Sequence, residues 1–219
     1  MVKPKRSGRY VCIEGLDGSG KTTLFKRLAD RLTRDHVEFS TVSPTKTYDA
    51  NNFIERAFRN ISFLNQNRTA RAFLYAHRSN QAADSTDWTK PLILGDRSLI
   101  TSYVTRWGRS KMKNFLTTCM VNIMERKIFP PDHVIYLDVS KDILIERLNS
   151  RGRPRDIDET DLRSEQMKEA YFHLKNTCEI RRIAGIKWHI ICGDGELDSI
   201  EDEAYKILTS IYNKREEVI

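Results

Sequence analysis

The sequence contains no apolar run that approaches the length of a membrane-spanning helix. Its first nine residues are basic, but they lead into no apolar signal segment. It has only four cysteines, which form no C-x-x-C pair and no Cys/His ligand cluster. Two of them, Cys12 and Cys192, fall in predicted core strands. We therefore expect no membrane partner, buried free thiols and a reducing compartment, the cytoplasm.

Internal repeats, low-complexity linkers and heptad arrays are also missing from the 219 residues. A chain of this length fits one large domain, and a hydrophobic fraction of 39% is enough for its core. We expect a single domain over residues 1–219, with a basic tail at residues 1–8.

Acidic residues are outnumbered, because 37 lysines and arginines face 30 aspartates and glutamates, for a net charge of +7. Nucleic-acid binding is one use for such an excess. The other is an active site that holds several phosphates, because arginine binds phosphate oxygens bidentately. No stripe of aromatic and basic residues lies outside the arginine clusters described below, so we do not expect a nucleic-acid partner.

Residues 15–22 carry the complete G-x-x-x-x-G-K-[ST] signature of a phosphate-binding loop, the P-loop. An apolar run suited to a buried strand precedes it, and apolar residues at helical spacing follow it. In that context Lys21 would reach the terminal phosphate oxygens and the Thr22 hydroxyl would ligate Mg²⁺. The alternative is a glycine-rich turn that matches by chance, or a loop that no longer binds nucleotide. The expected ATP-binding residues here are Gly15, Leu16, Asp17, Gly18, Ser19, Gly20, Lys21, Thr22 and Thr23.

Strand-like runs alternate with helical patterns along the chain. This order predicts an α/β P-loop NTPase fold, with a five-stranded parallel sheet and helices on both faces. Ligands of such sheets gather at the carboxyl ends of the strands. The predicted strands are Tyr10–Glu14, Val37–Val42, Leu92–Gly95, Val134–Val139 and His189–Cys192. The predicted helices are Lys21–Arg34, Asn51–Arg59, Arg68–Asp84, Leu99–Arg126, Asp142–Arg151, Asp161–Ile183 and Ser199–Lys214.

Asp96 and Arg97 come directly after the third predicted strand. In a P-loop enzyme a carboxylate at this place can hold the water shell of Mg²⁺ or orient the attacking group, so Asp96 is a candidate catalytic and metal-binding residue. The adjacent guanidinium can grip an acceptor phosphate bidentately. A strand-end salt bridge without catalytic meaning is the alternative.

A second cluster of arginines follows the fourth predicted strand and its helix. Glycine and proline break the helix there, so the segment from about 150 to 160 is expected to be an arginine-rich lid that closes over the transferring phosphoryl group. A solvated basic loop is the alternative. Arg147 is expected to contact ATP, and Arg151, Arg153 and Arg155 to be catalytic.

A third group lies on the predicted helix Arg68–Asp84. Arg78 shares a helical face with Tyr75, and an arginine beside aromatics can stack over or hydrogen-bond a planar base. Phe73 and Tyr75 are candidate platforms for that base, although aromatics at helical spacing are more often part of a core.

With these motifs, the chain resembles the thymidylate kinase family of P-loop nucleoside monophosphate kinases over nearly its whole length. The matching stretches are residues 14–23 (opening loop), 74–78 (base-contacting helix), 95–97 (Asp-Arg motif), 131–139 (fourth strand) and 147–158 (lid). The resemblance implies transfer of the ATP γ-phosphoryl group to dTMP with Mg²⁺. It also implies a homodimer through helices of the Leu99–Arg126 region.

The resemblance also implies roles for single residues. Arg78 would address thymine while an aromatic side chain stacks on it, Arg97 would bind the acceptor phosphate, and Asp17 would lie near the sugar. The P-loop holds Gly18 and Ser19 where one branch of the family has a catalytic arginine. The chain is therefore similar to the branch whose lid arginines act, and Arg155 is the best match. The implied substrate-binding residues are Asp17, Phe73, Tyr75, Arg78, Arg97 and Ser102.

Departures from the family pattern keep other acceptors open. After the second strand the family carries an acidic or Glu-Arg element beside a proline, whereas this chain reads Ser-Pro-Thr-Lys at 43–46, so a phosphate contact is missing unless Lys46 replaces it. Ser98 and the stretch 105–108 also differ, which weakens strict thymidine specificity. Asp96-Arg97-Ser98 looks like the motif of deoxynucleoside kinases, but their acidic base after the second strand is absent here, which favours a monophosphate acceptor. A nucleic-acid-binding P-loop NTPase is the third alternative.

Overall fold

The computed structural model describes residues 6–108, 110–152, 159–177 and 180–213. Their five strands are β1 (Arg9–Gly15), β2 (Phe39–Val42), β3 (Leu92–Asp96), β4 (His133–Asp138) and β5 (Lys187–Cys192). They form one sheet in the order β2-β3-β1-β4-β5, and every neighbouring pair is parallel. The predicted α/β fold with a five-stranded parallel sheet is therefore confirmed. Because β1 is the central strand, the P-loop leaves the middle of the carboxyl edge of the sheet.

Helices connect these strands and cover the sheet on both sides. In the described residues they are α1 (Lys21–Arg34), α2 (Phe53–Asn60), α3 (Ser62–Gln66), α4 (Arg68–Ser85), α5 (Leu99–Val104), α6 (Lys111–Met124), α7 (Lys141–Asn149), α8 (Asp161–Asn176) and α9 (Leu197–Asn213). No helix among them is both long enough and apolar enough to cross a membrane.

Side-chain alternation in β1 divides the core between the two faces of the sheet. Val11 and Ile13 pack with the buried residues of α1 and α9. Tyr10 and Cys12 face the other way and pack with buried residues of α5, α6 and α8. Both faces of the strand are covered, which is why it reads as a nearly continuous apolar run.

The segment Leu99–Arg126, predicted as one helix, forms two helices, α5 and α6. The loop between them contains Gly108, which is a poor residue for a helix interior. The Asn114 side chain accepts a hydrogen bond from the Gly108 N–H (2.9 Å) and donates one to the Gly108 carbonyl (2.8 Å). Ser110 then caps the new helix by accepting from the Lys113 N–H (3.4 Å). Local hydrogen bonds thus replace a helical turn.

Three further expectations need correction. The helix predicted to reach Ile183 ends at Asn176, because the backbone of Thr177 is extended. The short helix α3 was not predicted. Cys192 is exposed rather than buried, because its strand, β5, is the edge of the sheet, whereas Cys12 in the central strand is buried as expected.

Candidate active site

The P-loop joins the end of β1 to the start of α1. Gly15 has a φ of 149°, and a Cβ atom there would lie 2.8 Å from Ser19 Oγ and 2.9 Å from the Leu137 carbonyl. Gly20 has a φ of 90° and forms the N-cap of α1, where no side chain caps the helix. The first N–H groups of α1 are therefore available at the loop, the arrangement that binds phosphate at a helix N-terminus.

Lys21 is buried under the loop. Its ammonium group donates to the Leu16 carbonyl and to Ser19 Oγ (3.4 Å), and it lies 3.9 Å from the Asp17 carboxylate. Burial and the nearby charge of Arg97 together lower the pKa of Lys21 to about 7. A polyphosphate would supply the negative charge that this site lacks.

Asp96, at the end of β3, faces Thr22 across the loop. Its Oδ2 accepts a hydrogen bond from Thr22 Oγ1 (3.3 Å) and forms an ion pair with Lys46 Nζ (3.0 Å). Its Oδ1 is buried and has no hydrogen-bond partner among the described residues. A carboxylate and a hydroxyl so close together are hard oxygen donors that fit Mg²⁺. The described residues contain no group of three or more His, Cys, Asp or Glu side chains around a metal position, so the other ligands would be water and phosphate.

Arg97 and Asp17 form an ion pair at the opposite side of the loop. The Arg97 Nη2 group donates to Asp17 Oδ1. Burial alone would raise the pKa of Asp17, but the charges of Arg97 and Lys21 outweigh it and lower the value to about 2. The same ion pair raises the pKa of Arg97 against the effect of its burial. Both groups are therefore held in their charged forms.

The backbone of Arg97 is left-handed, with a φ of 71°. For a residue other than glycine this conformation costs about 1–2 kcal/mol and is kept only where neighbouring groups hold it. The Arg97 N–H donates to the Ile13 carbonyl (3.1 Å), and its carbonyl accepts from the Tyr10 hydroxyl (3.3 Å). Strain of this kind is concentrated at functional sites.

Glu14, which precedes the P-loop, is completely buried and accepts hydrogen bonds from three elements. The donors are Ser98 N–H and Oγ (both 2.8 Å), Thr101 Oγ1 (2.9 Å) and the Tyr171 hydroxyl (2.8 Å). Burial raises the pKa of Glu14, while Arg97 and these hydrogen bonds act in the opposite direction.

A cleft beside the P-loop brings together residues from five parts of the chain. Its cavity has a volume of about 210 Å³. Arg71 belongs to it and was not singled out from the sequence; its position one turn before Tyr75 on α4 is the signal that was available. Its Nη2 donates to the Tyr75 hydroxyl (3.2 Å). The lining residues are Asp17, Thr45, Arg71, Tyr75, Arg78, Arg97, Thr101, Ser102, Thr105 and Met167.

Arg78 lines this cleft, but much of its guanidinium group is already engaged. Its Nε and Nη2 bind the two oxygens of Glu55 (2.6 and 2.7 Å), and its Nη1 donates to the Thr45 carbonyl (3.1 Å). Hydrogen bonding by Arg78 lowers the pKa of Glu55. The arginine expected to address a base is thus fixed in place by a buried acid from α2.

Two further candidates for substrate binding differ in position. Ser102 lines the cleft, and its hydroxyl donates to the buried carboxylate of Glu125 (3.0 Å). Phe73 is not among the lining residues, and 54% of its surface is exposed. Tyr75 is therefore the aromatic residue of α4 that lines the cleft. The guanidinium groups of Arg71 and Arg78 lie near its ring.

The lid arginines are described only in part. Arg147 lies on α7, and its Nη2 donates to the Gly193 carbonyl after β5 (3.1 Å). Arg151 forms an ion pair with the buried Glu159 (3.0 Å), and its charge contributes to the low pKa of Asp17 in the P-loop. Arg153 and Arg155 fall in 153–158, outside the described residues.

The family model described as thymidylate kinase matches residues 13–204 of the chain. The chain belongs to the thymidylate kinase family. The match includes the P-loop, the Asp96-Arg97 pair and the cleft between them.

Curated members of the thymidylate kinase family are similar over nearly the full length. The thymidylate kinase of Leptospira borgpetersenii is 24% identical over 209 residues, which cover 94% of this chain and 96% of that protein. The thymidylate kinase of Ligilactobacillus salivarius is 26% identical over 219 residues (93% and 98%). The probable thymidylate kinase of Methanococcus maripaludis strain C6 is 28% identical over 214 residues (96% and 98%).

A solved structure of thymidylate kinase from Candida albicans has the same fold. It superposes with a TM-score of 0.61 at 15% identity and covers 93% of this chain and 92% of its own. Membership of the thymidylate kinase family confirms the predicted family and the predicted class of activity, an ATP-dependent phosphotransferase. The roles of the individual side chains stay predictions.

Proposed function

We propose that the protein is a thymidylate kinase that transfers the γ-phosphoryl group of ATP to dTMP, giving dTDP and ADP. The observation that carries this proposal is the cleft beside the P-loop, in which Arg97 and Asp17 face the place of an acceptor nucleotide. A donor held by the P-loop and an acceptor held in this cleft would meet at Lys21 and Asp96. Positioning and charge neutralisation of this kind are what phosphoryl transfer requires from a protein.

The charges in the cleft support a monophosphate acceptor rather than a nucleoside. A nucleoside kinase needs a base for the sugar hydroxyl, and Asp17 carries the only carboxylate among the described residues that line the cleft. With a pKa of about 2 and an ion pair to Arg97, Asp17 is a poor base. Arg97 and Arg71 instead favour an acceptor with a negative charge of its own.

Within this reaction the side chains in and beside the P-loop have separate roles. Lys21 neutralises the transferring phosphoryl group. Thr22 and Asp96 would hold Mg²⁺, directly or through water, and the ion would supply positive charge for phosphate oxygens. Lys46 competes for the same Asp96 oxygen and lies close enough to serve as an extra cation for phosphate.

The remaining predicted residues surround the two nucleotides. Arg97 binds the acceptor phosphate, Asp17 lies near its sugar, and Tyr75, Arg78 and Ser102 shape the base pocket. Arg151, Arg153 and Arg155 close over the donor as a lid, with Arg155 reaching the γ-phosphoryl group. Arg147, whose Nη2 donates to the Gly193 carbonyl, contacts ATP.

A homodimer through α6 is also proposed. Four of its apolar side chains follow helical spacing and are between 54% and 72% exposed: Met112, Phe115, Leu116 and Ile123. An apolar stripe of this kind on a helix is expected to be covered by a partner, and a second copy supplies a self-complementary one. Light scattering after gel filtration should give twice the chain mass, and Phe115→Asp should give the single-chain mass with unchanged circular dichroism. A wild-type protein of single-chain mass at micromolar concentration contradicts the dimer.

Incubation with ATP, Mg²⁺ and one acceptor at a time tests the function directly. The acceptors are dTMP, dUMP, dCMP, dGMP and thymidine, and the products are separated by chromatography. We expect dTDP and ADP in equal amounts from dTMP, and no dTMP from thymidine. Phosphorylation of thymidine but not of dTMP would show a deoxynucleoside kinase instead. ATP hydrolysis without any acceptor product would contradict a nucleotide kinase altogether.

A further inference from the structure

Glu14 has no part in the reaction proposed above, although it lies between the P-loop and the acceptor cleft. It is fully buried and lines no part of the cleft. A buried carboxylate is unfavourable unless hydrogen bonds compensate for lost hydration, and an apolar side chain would fill the same space without that requirement. Four donor groups around Glu14 meet this requirement. A carboxylate only accepts, so it orients every donor around it.

The donors around Glu14 belong to elements that meet the acceptor site. Ser98 directly follows Arg97, Thr101 lies on α5 and lines the cleft, and Tyr171 comes from α8. The carboxylate therefore connects the end of β1 to the turn after β3 and to two helices. Glu14 and Tyr171 are 157 residues apart in sequence.

The contact with Ser98 bears on Arg97 through a single peptide group. The carbonyl of the Arg97–Ser98 peptide accepts from the Tyr10 hydroxyl (3.3 Å), and its N–H donates to Glu14 Oε1 (2.8 Å). Both ends of this peptide plane are thus held from β1. The plane sets ψ of Arg97, whose φ of 71° is a conformation that needs external support. Loss of the acceptor at the N–H end would allow the plane to rotate and the side chain to take another direction.

We propose that Glu14 is a positioning residue for the acceptor phosphate: it fixes the peptide plane after Arg97 and thereby directs the Arg97 guanidinium group into the acceptor cleft. The inference rests on the proposed function, in which Arg97 binds the acceptor phosphate. Glu14 touches no reacting atom. Its effect should therefore be confined to the acceptor and should require Arg97.

The test is a set of steady-state measurements on Glu14→Gln with ATP and dTMP varied separately. The amide keeps the size of the side chain but has one acceptor oxygen in place of two and no charge, so it can accept fewer of the four hydrogen bonds. We expect the KM for dTMP to rise about tenfold and the KM for ATP to stay within about twofold. Glu201→Gln is the matched control, because Glu201 is also a buried carboxylate but pairs with Arg27 between α9 and α1. It should leave both KM values unchanged.

A double-mutant cycle separates positioning from general loss of structure. In an Arg97→Ala background, Glu14→Gln should cause no further rise in the KM for dTMP, because the group that it positions is gone. If Glu14→Gln does not fold, Tyr10→Phe replaces it: it removes the hydrogen bond at the other end of the same peptide and should raise the KM for dTMP about threefold.

Two results would overturn the inference. One is an unchanged KM for dTMP in Glu14→Gln, or in Tyr10→Phe where that variant replaces it, and the other is an equal effect with and without Arg97. Failure of the proposed function looks different, because wild-type protein would then not phosphorylate dTMP. In that case calorimetric binding of dTMP to wild type and Glu14→Gln decides the inference: a weaker affinity in the variant supports it, and equal affinities refute it.

Discussion

Removal of the Arg97 side chain is the perturbation for which the structure yields the clearest magnitude. In the free protein its guanidinium group is paired with Asp17, and with an acceptor it would bind phosphate through two parallel hydrogen bonds. Hydrogen bonds to charged groups contribute about 1.5–3 kcal/mol each, so the two hydrogen bonds together contribute about 3–6 kcal/mol. The pair with Asp17 has to be weakened first, which costs about 1 kcal/mol. A net loss of about 2–5 kcal/mol corresponds to a factor of roughly 30 to 5,000.

Arg97→Ala should therefore raise the KM for dTMP by about this factor and leave the KM for ATP within about twofold. Arg97→Gly is the matched control, because glycine accepts the φ of 71° without strain. The two variants should have the same kinetics, but the glycine variant should be more stable by about 1 kcal/mol. The measurement is steady-state kinetics with a coupled ADP assay, together with urea unfolding. An Arg97→Ala enzyme whose ATP affinity falls while its dTMP affinity is kept would refute the assignment of Arg97 to the acceptor.

Three further results are expected. Lys21→Ala should abolish turnover with little loss of stability, because the hydrogen-bond partners of the buried ammonium in the described part of the chain lie in the loop itself. Near-normal turnover of the purified variant would contradict a catalytic P-loop. Arg155→Ala should lower kcat far more than it raises either KM, and Arg155→Lys should not restore kcat, because a point charge lacks the planar fork of arginine. Arg151→Ala and Arg153→Ala should lower kcat less. An unchanged kcat in Arg155→Ala would contradict the lid role. ATP binding at pH 8 should take up roughly 0.5–0.9 proton, because Lys21, with a pKa of about 7, is mostly neutral at that pH and a polyphosphate raises its pKa. Calorimetry in two buffers of different ionisation enthalpy measures the uptake, which should vanish in Lys21→Ala. An equal heat of binding in both buffers would refute the proton uptake.

The features that could be predicted from the sequence are local ones. The P-loop is a contiguous signature, and the alternation of apolar strands with helical patterns predicts the parallel sheet without any long-range information. Asp96 and Arg97 could be placed at the site because the carboxyl ends of parallel strands share one edge.

The features that were missed depend on contacts between distant parts of the chain. Arg78 and Glu55 are 23 residues apart, and no local pattern shows that the arginine is bound by an acid from α2. The left-handed backbone of Arg97 is imposed by Tyr10, Ile13 and Glu14 of another strand, against the preference of an arginine. The break after Val104 arises from the hydrogen bonds between Asn114 and Gly108, which a helical apolar pattern does not reveal.

The proposed activity is the transfer of phosphoryl from ATP to a nucleoside monophosphate, between the P-loop and the adjoining cleft. Phosphorus NMR on a mixture of the protein, ATP, dTMP and Mg²⁺ follows every phosphorus atom at once. We expect the γ-phosphoryl signal of ATP to disappear as the β-phosphoryl signal of dTDP grows at the same rate, with inorganic phosphate absent. Release of the γ-phosphoryl group as inorganic phosphate, with the dTMP signal unchanged, would contradict it.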